Sequence, residues 1–197
     1  MISSLAHRAV VSLTTVPSAA AWYRVAGITL VTTCSAGAVA AGTDFVDPRN
    51  DLDPPRTGIA GAGWKALSAL FFPSLVEEVL WRGILLPPPT LTTATIPWMS
   101  WACGILVIHV LSHPVAARTV WPRGRNVFDD PRFLVLATMV LGGATVSYWV
   151  SGGSAWAAAV THGVPVALWR DFLGGEAKLM GKDQQHFHKN ERDGRRG

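Results

Sequence analysis

The sequence predicts an all-α fold, a polytopic integral membrane helix bundle of five to six transmembrane helices. Aliphatic, aromatic and Cys residues make up 49% of the 197 residues and gather into apolar stretches at 25–42, 64–86, 96–113, 132–150 and 154–173. Each stretch is near the length needed to cross a hydrocarbon core of ~30 Å. Trp64, Trp98, Trp101, Trp149 and Trp156 fall near the ends of these stretches, where an amphipathic ring suits the headgroup level. The competing reading, a water-soluble all-α protein, fails on size. A chain this short cannot cover five helices that are apolar on most faces.

Residues 1–24 form an N-terminal segment that is either interfacial or a short extra span, because Leu5 to Trp22 is broken by Pro17 and carries His7 and Arg8. No run in it is apolar enough for a cleaved signal peptide. Residues 25–180 are the membrane-embedded domain. Within it Trp81 and Trp169 lie deeper than the other tryptophans and read as packing residues. Cys34 and Cys103 read as small buried hydrophobes without CxxC spacing. Residues 181–197 are polar, without an apolar period, and are expected to be disordered. No internal repeat is evident.

Orientation follows from Lys and Arg. Arg118, Arg123, Arg125 and Arg132 cluster between the third and fourth stretches, and the tail is rich in Lys and Arg, whereas 87–95 and 151–153 have no basic residue. The positive-inside rule puts the 114–131 loop and the tail in the cytoplasm of a multi-pass inner-membrane protein, and with five spans the N-terminus outside. The net charge of +4 then reads as a topology signal and an attraction to anionic lipid. No aromatic-basic platform accompanies it, so no nucleic-acid partner is expected.

The chemistry lies in Phe71-Phe72-Pro73-Ser74-Leu75-Val76-Glu77-Glu78-Val79-Leu80-Trp81-Arg82-Gly83. Charge inside lipid is costly and needs a reason. On a helix Glu78 and Arg82 are one turn apart in the favourable acid-before-base order. Glu77 points roughly 100° away with no partner nearby in sequence, a candidate base. His109 and His113 share one helical face, and His162 lies in the last stretch. Three histidines and an unpaired Glu on three helices ought to converge, since lipid offers polar groups no partners.

Two chemistries fit such a cluster. In the favoured one, Glu77 and a histidine deprotonate a water and His162 donates to the oxyanion formed on a carbonyl, with no cofactor. In the runner-up the histidines hold zinc, with Glu77 as ligand or base. The HxxxH spacing suits zinc, but the usual HExxH pattern is absent because the glutamates are on another helix.

These residues resemble the CPBP family of intramembrane glutamate proteases, also called the abortive-infection or CAAX-protease family, whose bacterial members include proteins of bacteriocin processing and self-immunity. The likeness runs from about Phe71 to Gly175. Besides Glu77-Glu78-x-x-x-Arg82-Gly83 it includes Asp130-Pro131-Arg132-Phe133-Leu134, Ser151-Gly152-Gly153-Ser154-Ala155-Trp156, His162, Trp169-Arg170 and Gly174-Gly175. The resemblance implies a metal-independent endopeptidase with Glu77 as the water-activating carboxylate and Glu78 and Arg82 as its supporting pair. His113 or His109 would position the water, and His162 would stabilise the oxyanion.

The family's second motif, Phe-x-x-x-His, keeps its Phe at neither histidine. Pro114 and the distance to Asp130-Pro131-Arg132-Phe133 favour His113, whereas depth in the membrane favours His109. The third motif, His-x-x-x-Asn, has Val166 in place of Asn, and a hydrogen bond from His162 or Arg170 would have to substitute. The implied substrate is a membrane protein or lipid-associated peptide. The alternative from another class is a non-catalytic membrane scaffold or immunity protein that keeps the polar cluster for helix packing.

Overall fold

A computed structural model describes residues 4–47, 49, 51, 58–89 and 95–180, so the tail expected at 181–197 lies outside the described residues. Helix α1 (Leu5–Thr14) is capped by Ser4, whose side chain accepts from the His7 N–H. It is short, about 15 Å at 1.5 Å per residue, and makes no pass of its own. Helix α2 begins at Ala19, earlier than the 25 expected, because Ser18 accepts from the Ala21 N–H as its N-cap just after Pro17. The boundary drawn at residue 24 therefore falls inside α2, which runs to Gly42.

Helix α3 (Gly58–Ala69) continues into a distorted segment, α4 (70–84). Phe72, ahead of Pro73, has extended backbone (φ −140°, ψ 121°), as the residue before proline prefers. Two wide π-helical stretches, Leu70–Leu75 and Val79–Ile84, flank a single α turn, Val76–Glu78. Such widened turns recur at functional sites.

Helix α5 (Thr95–Thr119) runs through Pro114 rather than stopping at 113. Proline removes the N–H that would bond the carbonyl four residues back, here that of Val110. His113 replaces it: its Nδ1 lies 3.2 Å from the Val110 carbonyl and 3.2 Å from that of His109. A short turn, Pro122–Gly124, and α6 (Arg125–Phe128) lead to α7 (Pro131–Val150). Helix α7 is capped by Asp130, with Pro131 at its first position. Glycines with positive φ, Gly152 (75°) and Gly153 (99°), turn the chain into α8 (Ala155–Phe172). Gly174 (φ 70°) precedes α9 (Gly175–Met180).

Helix α8 is central, buried through Ala155, Ala157, Ala158, Ala159, Thr161, His162 and Gly163. Small residues let neighbouring helices approach where hydrophobic driving force is absent. A Cβ at Gly163 would come 3.2 Å from Ser74 Oγ and 3.4 Å from the Leu70 Cα. A Cβ at Gly143 would collide with Thr32. Buried hydroxyls tie three helices together: Thr161 Oγ1 lies 2.8 Å from Thr29 Oγ1 and 2.7 Å from Ser147 Oγ.

Contacts between distant residues define two ends. At one, Trp156 Nε1 donates to the Leu13 carbonyl (2.9 Å), and Trp98 and Trp101 donate to the carbonyls of Pro87 (2.8 Å) and Leu85 (2.9 Å). At the other, Arg132 donates to the Thr43 carbonyl (3.0 Å), Lys178 Nζ to the Phe45 carbonyl and Asp51 (both 2.7 Å), and Lys65 pairs with Glu176. Helices α2, α3–α4, α5, α7 and α8 each run between these ends. The basic loop and α9 share the second.

The molecule is an integral membrane helix bundle. Among the described residues three helices, Ala19–Gly42, Ile96–Thr119 and Pro131–Val150, are long and apolar enough to cross a bilayer by themselves. The α3–α4 pass is interrupted at Phe72 and carries Glu77, Glu78 and Arg82, while α8 is rich in small residues. The outer surface exposes Leu30, Val31, Val107, Ile108, Leu111, Val135 and Val146, as a lipid-facing surface does. Cys34 and Cys103 are exposed on it as well, contrary to the burial expected of them, because lipid costs a thiol nothing. Trp98 departs the other way. It is 2% exposed and packed on Trp149 with ring centroids 4.4 Å apart, so it is a core residue at that depth.

Candidate active site

The wide turns of α4 aim two consecutive carboxylates differently. Glu78 is fully buried, whereas the Glu77 side chain keeps 29% of its surface exposed. Burial of Glu78 is offset by two contacts, both to Oε1, while its buried Oε2 has no partner among the described residues. Its Oε1 accepts from Arg82 Nη1 at 3.0 Å and from His162 Nδ1 at 2.9 Å. Arg82, 1% exposed, donates further, through Nη2 to the Leu141 carbonyl (2.7 Å) and through Nε and Nη2 to Thr145 Oγ1 (3.3 and 3.2 Å). Its Nη1 also reaches His109 Nδ1 at 2.8 Å. A buried guanidinium needs this many acceptors.

His109 is the histidine that meets Glu77. Its Nε2 lies 3.1 Å from Glu77 Oε2, and its ring stacks on Trp81 at 4.6 Å. His162 Nε2 is 4.0 Å from the same oxygen, beyond a hydrogen bond. His113 is one turn further along α5, its ring 5.6 Å from that of His109 and edge-on to Phe128 and Phe133 at 5.4 Å each. Its Nδ1 is occupied by backbone carbonyls, as described above. Glu77, His109 and His113 nonetheless each bring one ligand atom within 4.8 Å of the others, a spacing that would admit a cation.

All six site residues expected from the sequence thus lie in one neighbourhood. Arg170 does not: it is eight residues beyond His162 on α8, roughly 12 Å along the axis. The partners that the sequence did not suggest are Thr145, the Leu141 carbonyl and Trp81. Trp81 was legible only as a packing residue, and a threonine or a backbone carbonyl on an apolar helix leaves no signal of an arginine across the bundle.

The family described as type II CAAX prenyl endopeptidase Rce1-like matches residues 60–167, more than half of the sequence. The chain belongs to this family. The match contains Glu77, Glu78, Arg82, His109, His113, His162 and Val166, and it stops before Arg170. No curated protein and no solved structure gave a significant match. Rce1-like proteins are proteases, and every member of the cluster described above lies within the family's stretch.

Proposed function

We propose that this protein is an intramembrane endopeptidase that hydrolyses a peptide bond of a membrane-associated protein or peptide, with Glu77 as general base. The observation that carries the reading is the contrast between the two carboxylates. Glu78 is consumed by Arg82 and His162, while Glu77 is accessible and held by one imidazole. A carboxylate with a free face beside a second imidazole can take a proton from water. The basic end faces the cytoplasm of the inner membrane on this reading, since Arg118, Arg123, Arg125 and Arg132 gather there.

The chemistry proposed is metal-independent. Spacing alone would admit a cation at Glu77, His109 and His113, but Arg82 can only donate, so His109 Nδ1 must accept. A neutral imidazole has one N–H, which then lies on Nε2, the nitrogen facing Glu77. A protonated nitrogen has no lone pair for a metal, and metal-bound imidazoles ordinarily donate through their other nitrogen.

A non-catalytic scaffold or immunity protein is the second reading, favoured by Val166, which offers no amide donor one turn after His162. Comparison of membrane-peptide termini in cells holding wild type or Glu77→Gln separates the two. A hydrolase leaves termini that depend on Glu77; identical peptide profiles favour the scaffold. Purified wild type is expected to hold no stoichiometric zinc and to keep its activity in chelator, and activity that returns only with added zinc would reverse the choice of chemistry.

A further inference from the structure

The Glu78–Arg82 pair touches both histidines, and it touches each at the same atom, Nδ1, from opposite chemical sides. Arg82 Nη1 donates to His109 Nδ1 at 2.8 Å. Guanidinium has no acceptor, so His109 carries its proton on Nε2 and gives it to Glu77 Oε2. Glu78 Oε1, already accepting from Arg82, lies 2.9 Å from His162 Nδ1. A carboxylate so paired can only accept, so His162 carries its proton on Nδ1 and turns a lone pair on Nε2 toward Glu77.

We propose that the buried Glu78–Arg82 pair is a tautomer lock, and that the attacking water is therefore held between Glu77 Oε2 and His162 Nε2 rather than against His109. Spacing supports this placement. Two acceptors 4.0 Å apart are bridged by one donor atom at ordinary hydrogen-bond lengths with an angle of about 95° at that atom. Water, with two hydrogens at a similar angle, can serve both acceptors at once. At His109 the geometry is the reverse, a donor already spent on Glu77. The proposal rests on the hydrolase reading and revises the part expected of His162: while neutral it presents a lone pair and has no hydrogen to give an oxyanion.

The step balances without a co-reactant. As the water oxygen bonds to the carbonyl carbon, one of its protons passes to Glu77 Oε2, and the other stays on oxygen, bonded to His162 Nε2. The carbonyl π pair moves to oxygen. Glu77 then delivers its proton to the amide nitrogen as the C–N bond breaks, and the oxyanion pair reforms C=O. The products are an acid and an amine, and Glu77 is a carboxylate again. Glu77 and His162 are catalytic residues on this account, and Glu78 and Arg82 are positioning residues.

Nitrogen NMR of the full chain, labelled with 15N-histidine and assigned through single His→Phe variants, reads the tautomers without any substrate. The expected result is a protonated Nδ1 and bare Nε2 at His162, and the opposite at His109. A proton on His162 Nε2, or on His109 Nδ1, in the wild type overturns the proposal whether or not the protein is a protease. Glu78→Gln keeps an oxygen for Nδ1 and should keep the His162 tautomer, whereas Glu78→Leu should lose it, with kcat per folded molecule at least about tenfold below that of Glu78→Gln and KM little changed. Equal kcat in these two variants overturns the lock. If the tautomers are as expected but Glu77→Gln leaves membrane peptides unchanged, the hydrolase reading and the water's placement fail while the lock stands.

Discussion

Two ion pairs in this molecule have the same four-residue spacing, acid first in one and base first in the other, and opposite fates. Arg82 and Glu78 are 3.0 Å apart with 1% and 0% of their side chains exposed, whereas Arg125 and Asp129 are 3.2 Å apart with 64% and 26% exposed. The second pair sits at the basic end, where Arg118 shares the same Asp129 and water competes for every bond. Exposed pairs of this kind contribute little. The first pair has no water to fall back on: Arg82 and Glu78 Oε1 are met by protein, Glu78 Oε2 has no partner among the described residues, and on the proposal above the pair fixes which nitrogen of each histidine carries the proton. Sequence spacing is therefore a poor guide to what an ion pair does; its surroundings decide.

Removing one member of the buried pair should give the largest loss. Arg82→Ala leaves Glu78 buried and uncompensated, a cost of about 3–5 kcal/mol, visible as a collapse of the thermal unfolding midpoint in detergent. The double replacement Glu78→Leu with Arg82→Met should recover most of that stability, because buried pairs are often no better than apolar packing, yet remain inactive. Recovery of both stability and activity would show that the pair has no role beyond packing.

Glu77→Gln should reduce cleavage by about a thousandfold while the unfolding midpoint stays near wild type, since Glu77 is the member of the cluster that keeps an open face. His113→Leu should be smaller and of a different kind. It frees the Val110 carbonyl that Pro114 leaves without an N–H, a loss of about 1–3 kcal/mol, and its folded fraction should keep its rate. A folded His113→Leu protein that has lost all activity would return His113 to the centre of the mechanism.

At the basic end the effects shrink. Asp130→Ala removes the N-cap of α7, about 1 kcal/mol. The Arg132 guanidinium, hydrogen-bonded to Asp130, holds its carboxyl below the usual carboxylate range. That contribution is present above the unfolded-state pKa and is lost as pH falls through the lower folded value, so the gap between wild type and Asp130→Ala should narrow in acid. Arg125→Ala should change stability by less than about 1 kcal/mol and leave cleavage unchanged. A large loss there would erase the contrast between the two pairs.

Much of this molecule is legible in its sequence. Apolar length and hydropathy are properties of the chain, so the helical membrane bundle followed from them, as did the one-turn pairing of Glu78 with Arg82 and the need for the polar groups to converge. Helix starts were less legible: Ser18 after Pro17 marks the start of α2 at Ala19, but a hydropathy window blurs a cap. The passage of α5 through Pro114 is not legible in the sequence, because a proline normally ends a helix and here the preceding His113 replaces the lost donor.

What the sequence by itself determined is that charged and imidazole groups are placed in lipid on three helices and must find one another, because hydrocarbon offers them no partners. Which atoms meet was left to the tertiary structure. Helical periodicity puts His109 and His113 on one face, but it contains no information about the tilt and depth of α5 against α4. Those follow from how α5 packs along α7, and from how the wide turns of α4 seat against the small residues of α8. That packing brings His109 to Glu77 and His162 to Glu78, and sets Arg82 between them. A hydrogen bond is decided over a few tenths of an ångström, a scale that only the packed bundle defines.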